Sequence, residues 1–138
     1  MATFNKFNAF VEALAEKVHN LGSDQLKVAL CAAANAPVAG NSVLADLTEI
    51  SYTNLSSRNI TTSSSSQTSG TYKLVISDLT LTASGGSVAA FRYVVIYNDT
   101  AASDNLICYF DYGSDLTLTD GASLILDADA TTGLLQIV

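Results

Sequence analysis

The apolar positions of this chain fall into two rhythms. From Phe91 to Tyr97 the order FRYVVIY puts Phe91, Tyr93, Val95 and Tyr97 on one side of a strand and Val94 and Ile96 on the other. Side chains alternate along a strand, so apolar residues on both sides predict a central strand covered on both faces. LICYFDY, Leu106–Tyr112, has the same character. The polar stretch Asn98–Asn105 between them predicts an antiparallel pair joined by a long hairpin loop.

The second rhythm is at the N-terminus. Phe4, Phe7, Val11, Leu14, Val18 and Leu21 recur at three- and four-residue steps, with Phe10 beside them and Lys6, Glu12, Glu16 and Lys17 on other faces. This pattern predicts an amphipathic helix over 3–21, capped by Thr3 and stopped by Gly22. Its phenylalanine-rich end has two uses: it caps one face of the sheet, or it docks on a neighbouring subunit. Phe4, Phe7, Phe10, Val11 and Leu14 are the candidate partner-interface residues.

Shorter signals fill the rest. Gln25–Cys31 alternates as a first strand, and Ser42–Ile50 has the form of a short helix capped by Ser42. The run 51–70, including TTSSSSQTSG, has almost no apolar anchors and predicts a flexible Ser/Thr-rich loop or a loosely held edge strand, either a linker or an exposed contact loop. In YKLVISDLTLT the apolar positions change from even (Leu74, Ile76) to odd (Leu79, Leu81) across Ser77-Asp78, which predicts a bulge or a bend between two sheets. Leu116–Leu118, Ser123–Leu126 and Leu134–Val138 complete a set of short strands separated by turn residues. The whole predicts one domain across 1–138, mainly β: an antiparallel β-sandwich or jelly roll with one N-terminal amphipathic α-helix.

Composition narrows the function classes. Of 138 residues 49% are hydrophobic and 14% charged, against about 25% charged in ordinary domains; Ser, Thr, Asn and Gly supply the polarity instead. Residues 1–40 are charge-balanced, whereas 41–138 carry Arg58, Lys73 and Arg92 against ten acids, so the net charge of −7 lies in the C-terminal body. An acidic body repels phosphate, which argues against nucleic acid and anionic membrane as partners and favours a basic protein surface. Phe4–Leu21 carries charges throughout and lacks the apolar core of a signal peptide. Cys31 and Cys108 each sit in an apolar run, predicting two buried thiols of a protein made in a reducing cytoplasm, with a single disulfide the alternative.

Catalytic chemistry is sparsely provided. His19 is the only histidine, and no nucleophile elbow or phosphate loop accompanies it; it is expected to be solvated or to sit at a helix end. Asp99 with Asp104 and Asp127 with Asp129 have oxygen ligands suited to Ca²⁺, but not in the spacing of a calcium loop, so they are expected to be solvated turn acids. No catalytic, cofactor-binding or metal residue is assigned, and the chain is expected not to be an enzyme. Exposed aromatics for stacking on sugars would be Tyr52, Tyr72, Tyr109 and Tyr112.

The segments MATFNKFNAFVEALAEKVHNLGSDQLKVAL, SQTSGTYKLVISDLTLTASGGSV, FRYVVIYNDT and LTLTDGASLILDADATTGLLQI together resemble small virion proteins of tailed bacteriophages, most of all the capsid decoration or cement proteins. That resemblance implies a small β-sandwich or jelly-roll subunit, made in the bacterial host cytoplasm. It would sit as a homodimer or homotrimer on the capsid exterior and bridge major capsid proteins. Tail- and fibre-associated proteins share the look, which keeps an adhesin or carbohydrate-binding module as the alternative. The resemblance is one of overall pattern and brings no site residue with it.

Overall fold

A computed structural model describes residues 2–138. The chain is mainly β, with antiparallel sheets and one short α-helix. Its elements in order are β1 (Thr3–Lys6), α1 (Ala9–Ala15), β2 (Leu26–Cys31), β3 (Asn59–Ile60), β4 (Thr62–Thr68), β5 (Thr71–Ile76), β6 (Leu79–Thr82), β7 (Phe91–Asn98), β8 (Leu106–Leu116), β9 (Ser123–Leu126) and β10 (Leu135–Ile137). Single 3-10 turns lie at Ala33–Asn35 and Leu44–Asp46, the second all that forms of the helix expected over Ser42–Ile50.

The largest sheet has the order β1-β8-β7-β2-β3, with β10-β5-β4 and β6-β9 as separate sheets. β7 is its central strand, paired antiparallel to β2 on one side and β8 on the other, as its two apolar faces require. One face of that sheet meets the smaller sheets in a core containing Leu26, Leu74, Leu81, Phe91, Val94 and Ile96. The opposite face holds a smaller cluster of Phe7, Ala29, Cys31, Tyr93, Val95 and Tyr97, covered in part by Leu44 and Leu47. Phe91 lies on the Val94 and Ile96 side rather than with Tyr93, because the β7–β8 register slips between Phe91 and Tyr93 and inverts the alternation there. The parity change at Ser77-Asp78 is a passage between sheets: β5 belongs to one and β6 to another.

The N-terminal expectation fails in an instructive way. Residues 3–6 form an edge strand on β8, with Phe4 opposite Phe110 and their rings 5.6 Å apart edge to face. Helix begins only after Asn8, without a side-chain cap, and Thr3 caps nothing. It stops well before Gly22. Lys17 takes φ +66, and the N–H of Val18 reaches back to the carbonyl of Ala13 at 2.8 Å, the left-handed closure more often built with glycine. Within the run 51–70 the edge strand, not the flexible loop, is what forms over 62–68. Thr62–Thr68 pairs with β5 along its length, because backbone hydrogen bonds form regardless of side chain, and nearly every residue of β4 stays exposed. β8 extends through Leu116, so no separate strand covers 116–118.

Candidate functional site

The edges of the five-stranded sheet are finished in contrasting ways. β3 pairs only with Leu26 and Lys27, leaving Val28–Cys31 of β2 exposed as an edge. The segment after the 3-10 turn at 44–46 closes it. Val28 donates its N–H to the Arg58 carbonyl at 2.9 Å, and the Arg58 guanidinium returns a hydrogen bond to the Val28 carbonyl. The N–H of Leu30 is taken by the Tyr52 hydroxyl at 3.0 Å, and the Leu30 carbonyl accepts from the N–H of Ile50 at 2.9 Å. Arg58 lies 3.6 Å over the Tyr52 ring and 3.7 Å from the Glu49 carboxylate, while the Tyr52 hydroxyl donates to Glu49. Burial, together with that hydrogen bond, raises the Tyr52 hydroxyl pKa well above the ordinary phenol.

The β1 edge has no such cover among the described residues. On its core side Phe4 leans over a groove of ≈ 400 Å³ whose walls include Val11 and Leu14 of α1 and Leu135 and Ile137 of β10. Phe4 is 45% exposed and Val11 53%, with Ile137 and Val138 also exposed. Beyond the Phe4–Phe110 pair a second depression begins, lined by Phe110, Tyr112 and Ile125, the last two again exposed. Large exposed apolar side chains therefore gather around these two adjoining depressions.

The structure divides the five candidate interface residues. Phe7 is 0% exposed, in the smaller cluster with Tyr109 at 5.0 Å between ring centroids, and Phe10 is 5% exposed in the main core. Each contributes roughly 1.5–3 kcal/mol to folding by its burial. Phe4, Val11 and half-buried Leu14 line the groove, and buried Phe10 lines it with them. What the sequence missed is β10, whose Leu135 and Ile137 form the opposite wall. Only the long-range return of the C-terminus to β5 puts them there.

The remaining candidates find local structural partners. Asp99 accepts from the Tyr97 hydroxyl at 3.3 Å and pairs with Lys27 at 3.5 Å; Asp129 accepts from the Thr131 N–H at 2.6 Å, which holds its carboxyl below the usual range. Asp104 occupies a left-handed turn position at φ +50. Among the described residues no group of three His, Cys, Asp or Glu is placed to hold a metal ion. Of the four tyrosines proposed as sugar platforms, Tyr52 is covered by Arg58, Tyr72 bonds Ser65 through its hydroxyl at 2.8 Å, and Tyr109 packs between Phe7 and Tyr93; Tyr112 alone is exposed. Cys31 and Cys108 are buried free thiols in different clusters, and burial pushes Cys31 up to about 11 and Cys108 higher still. No helix among the described residues is long and apolar enough to cross a membrane. Comparison with protein families, with curated protein sequences and with solved structures gives no match for this chain.

Proposed function

We propose that the protein is a bacteriophage virion subunit of the capsid-decoration class, a sandwich-like body that binds the outside of the head and stabilises contacts between major capsid proteins. The observation that carries this reading is the uncovered β1 edge beside an apolar groove walled by Phe4, Val11 and Ile137. An edge strand offers unpaired backbone groups and the groove offers apolar area, the two features an extended segment of a partner uses when it adds to a sheet. The groove's lining is apolar apart from Lys6 and Gln136, so a partner that enters it meets no carboxylate side chain.

A subunit that binds only the expanded shell stabilises that state by mass action. Self-association into a dimer or trimer would multiply the effect, because each further contact forms at high effective concentration. The test is cosedimentation with expanded head shells that lack the protein, followed by a measurement of their rupture temperature. Wild-type protein is expected to bind and raise it, whereas Phe4→Ser combined with Val11→Ser is expected to stay folded and remain in the supernatant. Wild-type protein that fails to bind expanded shells would remove the proposal; a variant that binds normally would move the contact away from the groove.

A further inference from the structure

His19 is buried 79 residues from the partner that fixes it. It is 5% exposed, its ring centroid 5.3 Å from that of Phe10, and its Nδ1 lies 3.1 Å from the amide nitrogen of Asn98 at the end of β7. Asn98 is 0% exposed and its orientation is determined. Its Oδ1 accepts from the backbone N–H groups of Thr100 at 3.0 Å and Ala101 at 3.2 Å, and its Nδ2 donates to Asp24 Oδ2 at 2.6 Å. Flipping the amide would set donors against those two N–H groups and an acceptor against the carboxylate. The second Nδ2 proton therefore points at His19, Nδ1 must accept it, and the ring's own proton sits on Nε2.

Two consequences follow. Nε2–H is a buried donor without a partner among the described residues, a cost that an apolar side chain in the same place would not carry. A second proton can be added only at Nδ1, where it meets the Asn98 donor head on. The charged groups around the ring do little to relieve this. Asp24, on the segment joining α1 to β2, is the one carboxylate that favours the charged ring; Lys17, at the exit of α1, and Tyr72 of β5 line the adjoining depression; Phe10 of α1 and Asn98 of β7 are neutral. Burial outweighs Asp24 and sets the His19 pKa below the ordinary 6.5.

We propose that His19 is an acid-sensitive latch: neutral, it joins Asp24 in tying the 16–24 connector to Asn98 at the end of β7, and protonated at Nδ1 it lets go of Asn98, leaving Asp24 alone on that amide and loosening the connector together with the last turn of α1. The latch holds whatever the groove binds. Because Leu14 lines both the groove and the depression beside His19, release loosens one wall of the groove. The sign is that of a histidine depressed in the folded state. Its contribution is fully present above the unfolded value near 6.5 and is lost as the pH falls through that value towards the lower folded one.

The test is made on the full chain by imidazole ¹⁵N spectroscopy together with amide-exchange protection factors between pH 7.5 and 4.5. At neutral pH the Nε2–H tautomer is expected. On acidification protection over residues 17–24 should drop at least tenfold, in step with His19 protonation, while β7 and β8 stay protected. His19→Gln should remove the pH step, and Asp24→Asn should move it to lower pH. An Nδ1–H tautomer at neutral pH, or His19 titration that leaves protection over 17–24 unchanged, would overturn the proposal; both are read on wild-type protein and need no variant to fold.

Discussion

The two outer edges of the five-stranded sheet pose the same problem, a row of unpaired backbone groups, and the chain treats them differently. Along β2, three residues of the stretch 49–58 close the edge: Ile50 and Arg58 offer their backbones, Tyr52 its hydroxyl and Arg58 its guanidinium as well. Along β1 nothing comparable is present among the described residues, and the neighbouring side chains are the exposed apolar ones. A third edge, β4, is open too but carries a run of serines. Open edges invite aggregation unless they are covered, charged or polar. The β1 edge is left open beside apolar side chains, where the β2 edge is covered and the β4 edge is polar.

The contrast can be broken most drastically from the middle of the sheet. Val95 is fully buried on β7, so Val95→Asp places an unpaired charge where neither edge matters, and soluble expression should be lost. Recovery of folded, monodisperse Val95→Asp protein would show that the smaller cluster is dispensable. Tyr52→Phe tests the closed edge. It leaves the N–H of Leu30 without its acceptor and should lower stability in a denaturant titration by about 1–3 kcal/mol, with faster exchange at Leu30. An unchanged midpoint would mean that the segment covers β2 without holding it.

Smaller effects sit nearer the open side. Asp111 accepts two hydrogen bonds from Arg92, at 2.7 and 2.9 Å, and these hold its carboxyl below the usual 3.8. A depressed carboxylate stabilises above its unfolded value and loses that contribution as the pH falls below it. Arg92→Gln should therefore lower stability slightly at neutral pH and flatten the acid limb, so that variant and wild type converge below about pH 4; an unaltered pH dependence would dissociate the pair from stability. The combined Phe4→Ser and Val11→Ser change should have the least effect on folding, about 1 kcal/mol or less, while removing binding to shells. A larger loss would show that these side chains work chiefly for the fold.

How far these regions could be foreseen depended on where their determinants lie in the chain. β7 and β8 declare themselves because their apolar residues have nowhere to go but both faces of a covered sheet, β2 by its alternation, and the Ser77-Asp78 passage by a change of parity. Phe4 and Phe7 satisfy a helical stripe equally well, and only pairing with β8, more than a hundred residues away, turns Thr3–Lys6 into a strand. The helix stop at Lys17 carries no glycine to announce it, and β4 has no apolar residue to betray its pairing. His19 has no revealing sequence neighbour because the side chain that orients it is Asn98. The groove was half legible: α1 and β1 supplied four foreseen residues, and the β10 wall emerged only from the fold.

Amide hydrogen exchange on the protein free and bound to expanded shells addresses the open edge most directly. Binding there should slow exchange over residues 3–14 and 134–138 and leave Val28 and Leu30, already protected by Arg58 and Tyr52, as they were. Protection that instead appeared over 49–58 or along the serine strand, with Thr3–Lys6 unaffected, would contradict it.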